Sequence, residues 1–264
     1  MSLDAQKSFA QIRQDYTDNS RVGTFNALIC GEAGTGKTKL LETCRKPVLA
    51  HFFDPGGEIT LREMIPKGEL LPEIFAPDDP FKPWAFMSWT KILDQEIKSG
   101  LFEHVGTYAL DSSTLWAESI LNYLTAKRGM AGKTPDGKVD YMPQKTEIRN
   151  WITRILSLPC DVIVTGHLEP TQDQVSGRLT YRYATTGKGT IMIPALFDEI
   201  YVLEAEDTSK GVSYRLRTAG AGRYMARSRL ASGGKLDTFE EPDIKNILKK
   251  VGYPTDDKPL FLQP

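Results

Sequence analysis

Apolar residues are spaced along the first two thirds of the chain in two alternating ways. Phe25–Cys30 is a short, mostly apolar run, as expected of a strand buried on both faces. Pro47 opens a second run, Val48–Phe53, which Asp54-Pro55-Gly56-Gly57 closes. A third, Val105–Leu110, ends in Asp111-Ser112-Ser113, and a fourth, Asp161–Thr165, ends at Gly166-His167. Between these runs the spacing turns helical. Residues 84–99 place Trp89, Ile92, Leu93 and Ile97 near one face, and Leu115–Ala126 also reads as helix. The cleanest helix carries Ile148, Trp151, Ile152, Ile155 and Leu156 at i, i+3, i+4, i+7 and i+8. Prolines are frequent from Ile65 to Pro83, which predicts irregular structure there.

Beyond residue 170 the pattern shortens. Residues 174–183 alternate around Ser176-Gly177 as a hairpin would, and 185–190 form a glycine-rich link. Short strands are predicted over Ile200–Glu204, Ser213–Thr218 and Arg223–Leu230. A last helix starts at Pro242, with Ile244, Ile247, Leu248 and Val251 facing inward. Residues 4–18 read as a weakly amphipathic helix with Phe9, Ile12 and Tyr16 on one face. Strands alternating with helices predict an α/β fold: a mostly parallel sheet flanked by helices, with antiparallel C-terminal edge strands. The predicted organisation is an N-terminal helical arm over 1–20, a core over 21–235, and a C-terminal helix and tail over 236–264.

The link from the first strand to the first helix is the most informative stretch. It reads Gly31-Glu32-Ala33-Gly34-Thr35-Gly36-Lys37-Thr38-Lys39, a G-x-x-x-x-G-K-[ST] pattern, with helical spacing predicted from Lys37 to Cys44 and ending near Arg45. Glycines there let backbone N–H groups face phosphate oxygens, and a helix N-terminus adds unpaired donors. In that context Lys37 is expected at the terminal phosphates of a nucleoside triphosphate and Thr38 at Mg²⁺. The alternative is a plain glycine turn into a helix.

Composition narrows the classes little. The chain has 264 residues, 40% hydrophobic and 25% charged, which suits one large globular domain or one with appendages. A formal net charge of −1 offers no global attraction for nucleic acid, so any basic surface has to be local. Cys30, Cys44 and Cys160 fit no metal spacing and read as packing cysteines of a reducing compartment. No apolar stretch approaches the length of a membrane span, and residues 1–10 lack a signal-peptide core, so a cytosolic location is expected.

Other residues each admit two readings. Asp111, at the end of a predicted strand, suits a second Mg²⁺ ligand or a helix N-cap. His167, at another strand end, suits a sensor of the terminal phosphate or an ordinary turn residue. Residues 127–140, with Lys127, Arg128, Lys133 and Lys138 among three glycines, are expected to form a mobile basic loop. Arg178, Tyr181, Arg182, Tyr183 and Lys188 mix cations with rings, as single-strand binders do, yet Leu179, Tyr181 and Tyr183 also alternate like the buried face of a hairpin. Arg227 and Arg229, at i and i+2, suit a phosphate clamp across a subunit boundary or a surface salt-bridge pair.

Together with the phosphate loop, Leu110-Asp111-Ser112-Ser113-Thr114-Leu115, Val162-Ile163-Val164-Thr165-Gly166-His167 and Met225-Ala226-Arg227-Ser228-Arg229-Leu230 carry a resemblance over roughly residues 24–230. The chain resembles the RecA-class P-loop ATPases, and more closely the compact bacteriophage members known as single-strand annealing or phage nucleotide-binding proteins. The resemblance implies a RecA-like ATPase core, ATP and Mg²⁺ as ligands, and homo-oligomers, ring or filament, with ATP between subunits. It also implies single-stranded DNA bound by the loops 127–140 and 169–190, and Arg227 and Arg229 as fingers reaching a neighbour's nucleotide. Strand-exchange relatives place a water-activating glutamate where this chain has Gly56, and Glu58 is the nearest substitute. The expectation is an ATP-hydrolysing phage recombination protein promoting annealing or strand exchange, acting in the cytoplasm of an infected bacterium. A single-strand DNA-binding protein is a candidate partner, and no membrane is. A DNA motor, a nucleotide-switched DNA-binding protein with little hydrolysis, and a small-molecule kinase are the alternatives.

Overall fold

Successive residues of the first strand, β1 (Asn26–Gly31), enter two different cores. Leu28 and Cys30 pack on one face of the sheet, Ala27 and Ile29 on the other, and all four are buried. The same alternation recurs in Thr107–Asp111 and Asp161–Gln172, where Tyr108, Leu110, Val162 and Val164 join the first core and Ala109 and Ile163 the second. A near-continuous apolar strand therefore means a sheet covered on both sides.

The computed structural model describes residues 3–17, 23–172, 177–185, 189–209, 211–220 and 222–261. Its strands continue with β2 (Val48–Phe52), β3 (Leu70–Ile74), β4 (Thr107–Asp111), β5 (Asp161–Gln172), β6 (Leu179–Tyr183), β7 (Glu199–Thr208), β8 (Gly211–Arg217), β9 (Arg227–Ser228) and β10 (Phe239–Glu240). The helices are α1 (Leu3–Thr17), α2 (Gly57–Thr60), α3 (Ala85–Ser99), α4 (Ser113–Lys127), α5 (Tyr141–Ile155), α6 (Gly189–Met192) and α7 (Ile244–Val251). The sheet runs β10-β8-β7-β1-β5-β4-β2-β3, with β6 paired to β5 and β9 to β7. From β7 to β3 every pairing is parallel, whereas β6, β8, β9 and β10 pair antiparallel. This is the expected α/β core, a mostly parallel sheet flanked by helices, with antiparallel edge strands. One strand, β5, separates the strand before the phosphate loop from the strand that ends in Asp111.

Helices α3, α4 and α5 cover the first face through Trp89, Trp116, Ile148 and Ile152. Trp89 touches both Trp116 and Trp151 edge-on, at centroid distances of 5.3 and 5.0 Å. Burying each such side chain is worth about 1.5–3 kcal/mol against leaving it in water. The second face is covered by α7, whose Ile244, Ile247, Leu248 and Val251 are buried beside Leu40 and Leu41. Asp243 caps α7 by accepting from the Asn246 N–H at 2.9 Å. Phe9 and Ile12 of α1 stay exposed. No helix among the described residues is long and apolar enough to cross a membrane.

Four local expectations change. The helix expected from Lys37 to Cys44 is a 3₁₀ helix over Lys39–Thr43, after which Cys44 is extended. Pro47 cannot prolong a helix and holds the residue before it away from helical geometry. The ground a longer helix would cover belongs to α7, whose Ile244 N–H donates to Thr43 Oγ1 at 2.9 Å. The stretch expected to be irregular contains β3, an edge strand where Pro72 is tolerated because one side of the ladder is free. The fourth predicted strand does not stop at His167 but runs to Gln172, held by its hairpin with β6. The strand expected over Arg223–Leu230 shrinks to the two residues of β9. Ser176 and Lys188 lie outside the described residues.

Candidate nucleotide site

Parallel pairing brings the C-terminal ends of β1, β2, β4 and β5 to one edge. In that register Gly31 lies beside His167 and Phe52 beside Asp111. The loop from Gly31 to Thr38 crosses this edge. Gly34 and Gly36 have φ of 79° and 90°, which side chains with a Cβ rarely adopt. A Cβ on Gly31 would lie 2.5 Å from Thr35 Oγ1 and 2.8 Å from the Leu203 carbonyl, so only glycine fits.

Lys37 folds back over this loop. Its Nζ donates to the carbonyls of Gly31 at 3.0 Å and Glu32 at 2.8 Å. Burial lowers its pKa, and the charges of Asp111 and Asp54 work against that shift. Thr38 Oγ1 donates to Asp111 Oδ2 at 2.6 Å, and Thr165 Oγ1 donates to Asp111 Oδ1. Asp111 is fully buried, and burial raises its pKa despite both hydroxyls. A hydroxyl from the loop after β1 and a carboxylate from the end of β4 offer the hard oxygen ligands Mg²⁺ takes, with phosphates completing its shell. Thr38 and Asp111 therefore fit a metal ion, and the helix-cap alternative for Asp111 fades because Asp111 ends β4 and Ser112 is the N-cap of α4.

His167 and Asp54 complete the cluster. His167 is half-buried, and its N–H donates to Thr114 Oγ1 at 3.0 Å. Burial first, then Lys37, lowers its pKa, with Asp54 and Asp111 opposing. The imidazole is thus held toward its neutral form. Asp54 follows β2, and its N–H and that of Phe53 both point at the Asp111 carbonyl, at 3.3 and 2.6 Å. Its Oδ1 accepts from Ser112 Oγ at 2.9 Å.

Comparison with known proteins gives a family. The family model described as an AAA domain (AAA_24) matches residues 25–230. The chain belongs to that family. A solved KaiC-like protein from the hyperthermophilic archaeon Pyrococcus horikoshii OT3 is similar at a TM-score of 0.42 and 13% identity, over 73% of this chain and 77% of that one. No curated protein matches the chain.

In this AAA domain the remaining predicted residues are scattered. Glu58 lies in α2, half-buried, with Oε2 enclosed and without a hydrogen-bond partner among the described residues. The acidic charges acting on Lys37 and His167 are those of Asp111 and Asp54. Arg227 and Arg229 lie at the far edge. Their strand β9 pairs with Glu199 and Ile200, and Glu199 pairs with Ala27 at the start of β1. Four residues of strand, roughly 13 Å, thus separate them from the loop of their own chain. Arg227 donates to the Phe197 carbonyl at 2.5 Å, and Arg229 pairs with Asp198 at 2.9 Å.

Lys133 and Lys138 are exposed on the loop between α4 and α5. Arg178 donates to the Gly222 carbonyl, and Arg182 is half-buried opposite Glu169. Tyr181 stacks on Tyr224 at 5.1 Å, so one face of its ring is taken. Tyr183 is a correction: it is buried at 2% exposure and cannot stack a base. Its hydroxyl donates to Ser113 Oγ at 2.8 Å, and its ring fills the space a Cβ on Gly166 would need. Tyr183→Ala is therefore expected to cost about 3–5 kcal/mol of stability, and Tyr183→Phe about 1 kcal/mol. Chemical denaturation measures both, and a Phe variant that keeps its stability but loses DNA binding would reverse the correction.

Sequence reasoning missed Asp54, Thr165 and the groups beside the loop. A cavity of about 320 Å³ adjoins Gly36 and Lys39, lined by Leu40, Thr43, Leu203, Tyr214 and Pro242. Asp54 had a signal, a carboxylate directly after the apolar run Val48–Phe53. Tyr214 had none, because it reaches the loop only through the β7–β8 hairpin.

Proposed function

We propose that this protein is an ATPase of the bacteriophage recombination type that binds single-stranded DNA and works as a homo-oligomer. The observation that carries the nucleotide reading is the 2.6 Å contact of Thr38 with Asp111 beneath a loop closed by Lys37. ATP would lay its phosphates along Gly31–Thr38, with Thr38 and Asp111 holding Mg²⁺ and Lys37 giving up its loop carbonyls for phosphate oxygens. The metal ion would supply charge neutralisation at the phosphates. Asp54, rather than Glu58, is the carboxylate we place as the group that orients the attacking water, because it shares the cluster with Lys37 and His167. His167 would report the terminal phosphate to the β5–β6 hairpin, which begins one residue later. The base would enter the cavity beside Tyr214, whose lining is mainly apolar and predicts weak discrimination among bases.

The β5–β6 hairpin and the loop over 128–140 support the DNA reading, since they carry Arg178 and Arg182, and Lys133 and Lys138, respectively. A subunit interface across the nucleotide is supported by the distance of Arg227 and Arg229 from their own loop. The test is ATP turnover across a range of protein concentrations, with and without single-stranded DNA. Turnover per chain that rises with concentration and with DNA is expected. Turnover indifferent to DNA would remove the recombination reading, and nucleotide binding without turnover would favour a nucleotide-switched binding protein.

A further inference from the structure

Outside the nucleotide site, the most unusual surface feature is an aromatic ring held in the open by a rigid turn. Phe81 is 73% exposed. The turn that carries it is organised by two aspartates. Asp79 Oδ1 accepts the Phe81 N–H at 2.9 Å, and the Asp79 carbonyl accepts the Lys82 N–H at 2.9 Å. Asp78 Oδ1 accepts the N–H groups of Trp84 and Ala85, both at 3.0 Å, and so starts α3. Its other oxygen accepts from Asn122 Nδ2 on α4 at 3.0 Å, which fixes the turn to the body. A turn with this many bonds presents its side chain in one place, at little further entropy cost on binding.

The ring also meets a second element. A Cβ on Gly132 would lie 2.4 Å from two atoms of the Phe81 ring, so the ring rests against the glycine of the loop between α4 and α5. Gly132 has φ of 68°, a conformation that favours glycine for a second reason. That loop is anchored at its ends as well. Arg128 pairs with buried Asp140, whose Oδ2 also accepts the Asp136 N–H at 2.7 Å. Lys82, next to Phe81, and Lys133, next to Gly132, are both exposed. Phe81 thus has one lysine next to it in the chain and another next to the glycine its ring rests on, while the Asp79 carboxylate is engaged by the Phe81 N–H. The turn leads from β3 into α3 at the sheet edge that carries the phosphate loop, and a cavity of about 180 Å³ joins Pro77, Asp78 and Pro80 to Phe53 and Pro55, which adjoin Asp54.

We infer that Phe81 is a stacking platform for one base of single-stranded DNA, with Lys82 and Lys133 holding the flanking phosphates. A ring supplies a face that any base can stack on, while lysines track the backbone charge. The pairing of ring with cations favours a polyanion of bases over an apolar protein partner. This inference rests on the DNA reading above and gives it a specific contact.

The test uses the full chain and an oligothymidylate labelled at one end, with affinity read by fluorescence anisotropy. Phe81→Ala should weaken binding roughly tenfold or more, the size of one lost base stack. Phe81→Leu keeps the apolar bulk without the aromatic face, and should weaken it nearly as much. On an abasic oligomer of the same length the wild type and Phe81→Ala should bind alike. Changing Lys82 and Lys133 together to alanine should reduce the salt slope by about 1.4, the share of two phosphates on a single strand. Thermal melts check that the variants fold, which the exposure of Phe81 leads us to expect. If the wild type binds no oligomer, the DNA reading fails and this inference with it. If the wild type binds and Phe81→Ala binds equally well, the inference alone is overturned. Unchanged DNA affinity with an altered oligomer size by mass photometry would also overturn it, and would assign Phe81 to a contact between chains.

Discussion

Asp111→Asn is expected to make the free protein more stable while reducing ATP turnover by 10³-fold or more. The two effects have one cause. Asp111 is fully buried, and burial raises its pKa above the usual carboxylate value. In the folded protein its ionised form is therefore disfavoured relative to the unfolded chain. The sign follows directly. The folded state holds this proton more tightly, so the group's contribution to stability falls as pH rises from the unfolded carboxylate pKa through the raised folded one. Above that window the wild type carries the full penalty and the asparagine variant none. The gain in stability, about 1 kcal/mol or more, should be largest near neutral pH and shrink toward acid. Asparagine keeps the shape; its oxygen can accept from one of Thr38 and Thr165, which now donate to the two carboxylate oxygens, and its NH2 can donate to the other once that hydroxyl turns to accept. It loses the charge that suits a divalent cation, a loss worth several kcal/mol in phosphoryl transfer. Melting curves from pH 4 to 8, beside turnover with Mg²⁺, check both halves. A variant that is destabilised at neutral pH, or that hydrolyses ATP at the wild-type rate, would show that Asp111 is a structural residue.

Much of this arrangement could be read from the order of residues. Phe25–Cys30, Val48–Phe53, Val105–Leu110 and Asp161–Thr165 announce themselves because strands buried on both faces need apolar residues without a break. The loop from Gly31 to Thr38 was equally legible, since its glycines and lysine are adjacent in the chain. What could not be read depends on contacts between distant segments. β3 hides among prolines because an edge strand tolerates them. The helix after the loop is cut to a single 3₁₀ segment where α7, some 200 residues later, takes its place. Tyr183 admitted both a base-stacking ring and a buried hairpin residue because alternation alone does not say which face of a hairpin is buried; Ser113 and Gly166 decide that. Arg227 and Arg229 kept their place in the order of motifs, yet only the register of β9 on β7 shows which edge of the sheet they occupy.

The proposed water-orienting carboxylate is the point on which the geometry departs furthest from the expected order. A search for a glutamate near the end of β2 stops at Gly56 and moves on to Glu58. The fold offers a different carboxylate. Gly56 takes φ of 79° and the Gly57 N–H returns to the Asp54 carbonyl at 3.2 Å, so the chain turns sharply after Asp54. That turn carries Glu58 into α2, while Asp54 stays at the strand end with the Asp111 carbonyl accepting its N–H. One oxygen of Asp54 accepts from Ser112, which orients the carboxylate and leaves the other available to a water. Asp54→Asn should consequently lower kcat by on the order of 10²-fold or more, as expected when a positioned base is lost. ATP affinity should change little, because Lys37 and the loop glycines remain. Glu58→Gln should stay within a few-fold of the wild type in both constants. Single-turnover hydrolysis, with nucleotide affinity measured separately, distinguishes the two carboxylates. The opposite ranking, with Glu58→Gln inactive and Asp54→Asn active, would mean that α2 swings Glu58 toward the phosphates once nucleotide is bound. Asp54 would then be left as the carboxylate that orients Ser112 behind Asp111.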